Sequence, residues 1–304
     1  MTSLTAAPET RQRLPICETP GIADARRLPD GDFTAEWDSI ILPADLKHRL
    51  VRTAVAGFQL REKVAFSALP LHGVLLLVGP PGVGKTTLAR GLADKVARVA
   101  TGRQWTFVEI DPHGLTGSML GRSQRSVDQL FNTVLAEQAA AGPLIVLFDE
   151  VETVFTDRGA LSMDTNPIDV HRAVDAALVG IDRLAREHSN VLVIATSNFA
   201  DAIDPALASR ADQVITVPLP DADARRQILQ HTLLAVAEAF PGARRVLAAD
   251  VLDQAARVSG GLDGRRLRKA VAAACAMAPG SNGDPDQITG AGLMAALEEF
   301  RGQR

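Results

Sequence analysis

Residues Gly79–Thr86 read GPPGVGKT, and this stretch decides the fold of the chain. It matches the phosphate-loop pattern G-x-x-x-x-G-K-[ST], also called Walker A, at Gly79, Gly84, Lys85 and Thr86. The apolar run Gly73–Val78 before it predicts a buried strand, and apolar spacing over 87–96 predicts a helix. A glycine turn between a strand and a helix N-terminus directs backbone N–H groups at one point, which forms an anion site. We therefore predict that this stretch binds the β- and γ-phosphates of a nucleoside triphosphate.

The side chains of the phosphate loop have separate predicted roles. Lys85 would neutralise phosphate charge, and the hydroxyl of Thr86 would be a ligand of Mg²⁺. The neighbouring residues predicted to surround the phosphates are Pro81, Gly82, Val83, Gly84 and Thr87. The alternative is an ordinary Gly-Pro turn between a strand and a helix, which needs no ligand.

Composition restricts the class of protein. The chain has 304 residues, 46% of them hydrophobic, which is enough for a full α/β core and a second small domain. A net charge of −4 offers no overall attraction to nucleic acid. No apolar run approaches the ~18 residues of a membrane span, and no signal sequence precedes the first domain. Cys17 and Cys275 are predicted to be free thiols, which suits a cytoplasmic protein with no membrane partner.

Strands alternate with helices over the first two thirds of the chain. The predicted strands are 73–78, 106–110, 144–148, 191–195 and 214–217, and the predicted helices between them are 45–66, 87–96, 126–140 and 170–185. Continuous aliphatic strands in this alternation predict an α/β domain with a parallel sheet covered on both faces. Beyond Leu219 only helical patterns follow, at 222–240, 249–259, 264–277 and 291–300. We predict a flexible tail (1–31), for which a docking arm is the alternative, then an α/β domain (32–219) and an all-helical domain (220–304).

Two carboxylates follow the third predicted strand. The strand LIVLF ends at Phe148 and is followed by Asp149 and Glu150, the Walker B pattern. Ligands of open parallel sheets bind at the carboxyl ends of the strands, so these groups should face the phosphates. Asp149 would hold Mg²⁺, and Glu150 would polarise the water that attacks the γ-phosphate. The alternative is the start of a solvated loop, since many strands end in acidic residues.

Three polar residues further along the chain complete the candidate site. Asn198 ends the fourth predicted strand, where it could orient the attacking water or merely begin a turn. Arg210 precedes the last strand, and in a closed ring it could enter the γ-phosphate site of the neighbouring subunit. Arg265 begins a helix of the second domain and could contact bound nucleotide, with Arg268 as the alternative and a solvated basic helix start as the simpler explanation.

With these elements in this order, the chain from about Phe33 onward resembles an AAA+ ATPase, with a P-loop α/β domain followed by a small helical lid. Within that group it is similar to the pachytene checkpoint protein family. The stretches that resemble this family are Asp149–Glu152, Thr165–Asp169, Thr196–Asn198, Ser209–Asp212 and Gly261–Lys269. The resemblance implies a homo-hexameric ring that hydrolyses ATP, partly unfolds a HORMA-domain protein and releases its closure peptide.

The resemblance also assigns residues. It implies Lys85 and Thr86 on phosphate and metal, Asp149 and Glu150 as the metal and hydrolytic carboxylates, Asn198 as first sensor, Arg210 as arginine finger in trans, and Arg265 as second sensor. The WDSI motif ending at Ile40 matches the entry to the adenine pocket. Residues 117–122 align with the first pore loop, where Met119 and Leu120 replace the expected aromatic–apolar pair, and 159–169 align with the second.

A short front segment resembles the bacterial branch of the family. That branch accompanies CBASS, a cyclic-nucleotide antiphage signalling system in which a HORMA–peptide complex activates a nucleotidyltransferase. The resemblance implies that the ATPase stops the antiphage signal by taking this HORMA–peptide complex apart. One alternative is a nucleic-acid-directed AAA+ loader or initiator, for which only Arg122 and Arg125 supply basic residues near the pore. Another is a nucleotide switch without turnover, against which Glu150 argues.

Overall fold

The computed structural model describes residues 13–100, 102–111, 122–153, 167–199, 203–277 and 283–303. The chain divides into two compact units, each described here by itself. The first contains the described parts of Met1–Ile40, Lys47–Gly79 and Lys85–Thr216, and the second those of Ile41–Leu46, Pro80–Gly84 and Val217–Arg304. The predicted pore residues Met119 and Leu120, and the second pore loop up to residue 166, lie outside the described residues.

The first unit is built on a six-stranded sheet with the spatial order β1-β3-β4-β5-β2-β6. The strands are β1 (Ile22–Leu28), β2 (Val74–Val78), β3 (Trp105–Ile110), β4 (Leu144–Phe148), β5 (Val191–Ser197) and β6 (Gln213–Thr216). Strands β2 to β6 pair in parallel, whereas β1 pairs antiparallel with β3. All residues of β2 and β4 are buried, as expected for strands covered on both faces. The predicted α/β class with a mainly parallel sheet is confirmed.

Strand β1 differs from the flexible tail predicted for residues 1–31. Ile22–Leu28 form an edge strand of the sheet, and Ala25 and Leu28 are at most 1% exposed. The segment contains Asp24, Arg26 and Arg27, so its sequence is too polar to be recognised as a strand. The guanidinium of Arg26 lies 2.5 Å from the carboxylate of Asp24, and that of Arg27 donates to the hydroxyl of Thr106. Pairing with β3 therefore overrides the local composition.

The helices of the first unit cover the sheet. They are α1 (Gly31–Ser39), α2 (Ala44–Lys63), α3 (Lys85–Val99), α4 (Arg122–Gln129), α5 (Ala136–Ala141), α6 (Pro167–Glu187) and α7 (Pro205–Ala208). A π-helical segment, Leu130–Leu135, joins α4 to α5. Helix α1 begins at the N-cap Asp30, whose carboxylate accepts from the backbone N–H groups of Asp32 and Phe33. Among the described residues, none of these or the later helices combines the length and apolar character needed to cross a bilayer.

Helix α3, which follows the phosphate loop, packs closely on α1 through a glycine. A methyl group at Gly91 would lie 2.6 Å from the Cβ of Trp37 and 2.8 Å from its Cα. These contacts involve backbone and the base of a buried side chain, so they cannot be relieved by a rotamer change. Gly91 therefore sets the distance between the two helices.

We expect Gly91→Ala to destabilise the chain, because overpacking costs roughly 1–3 kcal/mol or more at a site that cannot yield. The matched control is Gly57→Ala on α2, where an added methyl group would meet nothing within 4 Å. That control should be stabilising by up to about 1 kcal/mol through helix propensity alone. Thermal melting measures both variants. A Gly91→Ala protein that melts at or above the wild-type temperature would contradict the close packing of α1 on α3.

The second unit is helical around its own core. Its helices are α8 (Ala222–Ala239), α9 (Ala249–Val258), α10 (Gly264–Ala276) and α11 (Gly290–Gly302), with a 3₁₀ segment at Pro241–Leu247. Three of the four α-helices begin at a side-chain cap, Asp221, Asp263 or Thr289. Their buried faces form one cluster in which Leu229, Leu233, Leu267 and Leu293 are completely buried. Cys275 on α10 and Cys17 of the first unit are free thiols, as predicted.

Candidate nucleotide-binding site

The sheet order brings three functional strand ends together. Strand β5 lies between β4 and β2, and all three run parallel. Their carboxyl ends therefore share one edge of the sheet, where ligands of such sheets bind. Lys85 begins the helix that follows β2, Asp149 and Glu150 come directly after β4, and Asn198 comes directly after β5. The predicted catalytic groups thus meet although more than 100 positions of sequence separate the first from the last.

Lys85 begins α3 and its ammonium group is held by two oxygen atoms. The Nζ atom donates to the carbonyl of Gly79 and to Oδ1 of Asn198, each at 2.8 Å. The residue is only 6% exposed. These two oxygen acceptors fix the direction of the ammonium group. The lysine is thereby placed at the junction of the phosphate loop and β5.

Thr86 and Asp149 lie next to each other, and both have side-chain oxygen atoms that could be ligands of a metal ion. The hydroxyl of Thr86 lies 2.8 and 3.0 Å from the two carboxylate oxygens of Asp149 and donates to them. A hydroxyl and a carboxylate are ligands that Mg²⁺ accepts, usually together with waters and substrate phosphates. The arrangement therefore fits the predicted metal role of both residues.

Glu150 is held in an unusual backbone conformation. Its φ angle is 50°, and it is the one residue other than glycine with a positive φ in the described part of the chain. The left-handed region costs an L-residue roughly 1–2 kcal/mol, so the surrounding contacts must hold it there. The N–H of Glu150 donates to the hydroxyl of Thr196 at 3.0 Å, and Nδ2 of Asn198 donates to Oε1 of Glu150 at 3.2 Å. The predicted base and the predicted first sensor are thus in direct contact.

Sequence reasoning did not single out two residues of this group. Thr196 is 1% exposed, and its hydroxyl donates to Oδ1 of Asp149 at 2.5 Å. Glu152 accepts from the backbone N–H of Asn198 at 3.0 Å. Both lie inside stretches that carried the family resemblance, but their residue types alone did not indicate these contacts. Their contacts are visible only when β4 and β5 lie side by side.

Arg210, the predicted arginine finger, is bound to a carboxylate of its own chain. Its Nε and Nη2 atoms each lie 2.7 Å from an oxygen of Asp182 on α6, and Nη1 donates to the carbonyl of Ala206. This bidentate hydrogen bond lowers the pKa of Asp182 and raises that of Arg210. The imidazole of His72 also lies 3.3 Å from Asp182. The structure thus groups Arg210 with Asp182 rather than with Lys85 and Asp149.

The second unit contains the remaining part of the phosphate loop. Gly82 and Gly84 have φ angles of 82° and 92°, which favour glycine. A methyl group on Gly82 would lie 2.2 Å from the carboxylate of Asp263, the N-cap of α10. The backbone N–H of Arg265 donates to the carbonyl of Gly82 at 3.2 Å, while Arg265 itself is exposed. Ile40, the predicted adenine contact, belongs to the first unit and is 8% exposed at the end of α1.

The comparisons with known proteins agree with this geometry. Residues 75–219 match the model of the AAA family, described as "ATPase family associated with various cellular activities". Together with a relative that is 46% identical over 93% of both chains, this match shows that the chain belongs to the AAA ATPase family and is an ATPase, as the sequence predicted.

Within that family one curated relative is similar over nearly the whole chain. This is CD-NTase-associated protein 6 of Pseudomonas aeruginosa, 46% identical over 284 residues, which cover 93% of each chain. The putative pachytene checkpoint protein 2 of Caenorhabditis elegans is 34% identical over 216 residues. That match covers 69% of this chain but 50% of the relative, so the chain spans about half the length of the pachytene checkpoint relative. The predicted relationship to the pachytene checkpoint family is confirmed.

Solved structures share the fold. The structure of C. elegans PCH-2 is 27% identical with a TM-score of 0.74, and the match covers 92% of this chain and 76% of that one. A chain of the E. coli MS115-1 HORMA:CdnC:Trip13 complex is 19% identical with a TM-score of 0.75, covering 92% of this chain and 95% of that one. The second likeness concerns the fold alone.

Proposed function

We propose that the chain is a Mg²⁺-dependent ATPase that works as a homo-hexamer and opens a HORMA-domain protein, releasing its closure peptide. The released HORMA protein no longer activates its nucleotidyltransferase, so the ATPase turns off a CBASS-type antiphage signal. The observation that carries the proposal is the 46% identity to CD-NTase-associated protein 6 over 93% of both chains. That relative is named for its association with a CD-NTase, and the fold is shared with a chain of a complex that contains HORMA and CdnC.

ATP is the proposed nucleotide, with its phosphates at the N-terminus of α3. Lys85 already lies against the phosphate loop and β5, so its ammonium can neutralise phosphate charge without a large movement. Thr86 and Asp149 would hold Mg²⁺, which spreads the negative charge of the phosphates when it is bound. Ile40, Pro81, Gly82, Val83, Gly84 and Thr87 are the remaining proposed contacts of the nucleotide. In this proposal, the chain places the oxygen atoms of Thr86 and Asp149 and the ammonium group of Lys85 around the bound phosphates.

Glu150 is the proposed general base. Its carboxylate accepts the amide N–H of Asn198, so the two side chains can hold one water molecule between the end of β4 and the end of β5. A carboxylate that accepts the water's proton raises its nucleophilicity toward the γ-phosphate. Asn198 also contacts Lys85, which links the base to the group that senses phosphate charge.

Two arginines complete the proposed site. Arg210 would act in trans, leaving or sharing Asp182 to reach the γ-phosphate of the neighbouring subunit. Arg265 would contact bound nucleotide as the second sensor. Its backbone already bonds to the loop residue Gly82, whereas the alternative, Arg268, donates to the carbonyl of Gly264. This difference favours Arg265.

The function is tested by following a closure peptide. A bacterial HORMA-domain protein loaded with a fluorescent closure peptide should release the peptide when the ATPase, ATP and Mg²⁺ are added. Release should fail when ADP replaces ATP, and the HORMA complex rather than DNA should stimulate hydrolysis. Stimulation by DNA alone would favour the loader or initiator function instead.

We expect Met119→Ala with Leu120→Ala to abolish peptide release while basal ATPase activity stays close to wild type. The proposed first pore loop follows β3, and removing two apolar side chains would cost roughly 2–4 kcal/mol of contact with a threaded chain per subunit. Basal ATPase rate, melting temperature and peptide release measure the effect. Normal release by the double variant would contradict the threading role. Loss of all three signals would show that the two residues support the fold instead.

A further inference from the structure

The hydroxyl of Thr196 on β5 forms hydrogen bonds with both carboxylate residues that follow β4. It donates to Oδ1 of Asp149 at 2.5 Å and accepts the N–H of Glu150 at 3.0 Å. A hydroxyl has one proton, and a backbone N–H can only donate. The direction of both hydrogen bonds is therefore determined: the proton of Thr196 points at Asp149.

The position of this hydroxyl is rigid. Thr196 is 1% exposed in the centre of the sheet, between β4 and β2. A β-branched side chain has few χ1 rotamers, and the backbone around it is fixed by parallel pairing with both neighbours. Because the hydroxyl of Thr196 donates from a fixed position, it restricts the rotation of the Asp149 carboxylate, which also accepts from Thr86.

The same oxygen atom stabilises the backbone of Glu150. That residue has a φ of 50°, a conformation that L-residues occupy only when neighbouring contacts hold it. Its N–H would be left without this acceptor if the hydroxyl were absent. The turn that it makes directs the side chain toward Nδ2 of Asn198.

We propose that Thr196 is a positioning residue that orients the metal-facing carboxylate of Asp149 and the backbone of Glu150 through one hydroxyl. This inference rests on the proposed roles of Asp149 and Glu150. Mutation of a residue that hydrogen-bonds to a metal ligand without touching the metal typically lowers metal affinity or activity by about 10–100-fold. Thr196 acts in this way on the ligand and on the base together, which couples the geometry of the two.

The test compares Thr196→Val, which keeps the branched shape but removes the hydroxyl, with Thr196→Ser, which keeps the hydroxyl. Thr196→Val should lower kcat about 10–100-fold and raise the Mg²⁺ concentration for half-maximal activity, with KM for ATP changed less than about threefold. Thr196→Ser should stay within about threefold of wild type. The matched control is Thr106→Val on β3, which also removes a buried hydroxyl that bonds to another side chain.

Two further measurements do not depend on turnover. In EDTA, hydrogen exchange of a peptide spanning residues 147–153 should be faster in Thr196→Val than in wild type, because the N–H of Glu150 loses its acceptor. Binding of a fluorescent ATP analogue in EDTA should be unchanged, since the hydroxyl of Thr196 bonds to Asp149 and to the backbone of Glu150 rather than to the phosphate loop.

The outcomes separate this inference from the proposed function. Turnover by Thr196→Val within about twofold of wild type, or a Thr196→Ser protein as slow as Thr196→Val, would overturn the positioning role. So would an equal loss in Thr106→Val, because the effect would then be one of general stability. Asp149→Asn and Glu150→Gln are measured beside them. If those two variants keep normal turnover, the proposed roles of the carboxylates fail, whatever Thr196 does.

Discussion

Glu150→Gln should bind ATP as wild type does and turn it over about 10²–10⁴-fold more slowly, because a general base contributes about that factor. The amide has the shape of the carboxylate but cannot accept the water's proton. It can still accept the N–H of Asn198 through its oxygen, so the contact between the two side chains survives. The backbone of Glu150, with its bond to Thr196, is unaffected by the change. The variant should therefore trap ATP and substrate on an intact assembly.

Steady-state phosphate release measures the turnover rate, and equilibrium binding of a labelled ATP analogue measures nucleotide affinity. The matched control is Glu187→Gln, since Glu187 is a half-exposed residue on α6 that pairs with Arg183. It should be indistinguishable from wild type. A Glu150→Gln protein that hydrolyses ATP within about threefold of the wild-type rate would show that another group activates the water.

Arg210→Ala should lower ATP turnover by about 10³-fold or more, the contribution of an arginine finger. The loss should come with normal nucleotide binding, because the finger would act on the pocket of the neighbouring subunit. Lysine should not substitute, because an ammonium group cannot make the bidentate contact with phosphate oxygens that the planar fork of a guanidinium makes. Arg183→Ala is the matched control, since that exposed arginine of α6 pairs with Glu187.

Mixing two inactive variants tests the action in trans. Arg210→Ala subunits keep their phosphate loop, and Lys85→Ala subunits keep their finger. In a randomly mixed ring, about one interface in four combines an intact pocket with an intact finger, so part of the activity should return. Unmixed samples of each variant should stay inactive. Full activity of a wild-type monomer at high dilution would rule out a finger supplied by a neighbour.

Local sequence determined the predicted phosphate loop of this protein. A glycine turn, a lysine and a threonine at fixed spacing between an apolar run and a helical pattern have one structural solution, because backbone N–H groups and a helix end must face the same point. The buried strands β2, β4 and β5 were readable for a similar reason. Continuous aliphatic runs are stable only when both faces of a sheet are covered.

The tertiary structure alone decided the features that depend on partners distant in sequence. Strand β1 was predicted to be part of a flexible tail because its composition is polar, and its strand conformation depends on pairing with β3, where Arg27 donates to Thr106. The bond from Arg210 to Asp182 joins residues 28 positions apart, on a loop and a helix.

Thr196 shows the same limit inside a recognised motif. Its hydroxyl lies 2.5 Å from Asp149 across 47 positions of sequence, and nothing in residue type separates it from Ser197. Sequence pattern reports the periodic burial and the local turns of a chain, because these depend on neighbouring residues. Which hydroxyl meets which carboxylate depends on the order and register of the strands, and that is set only when the sheet is assembled.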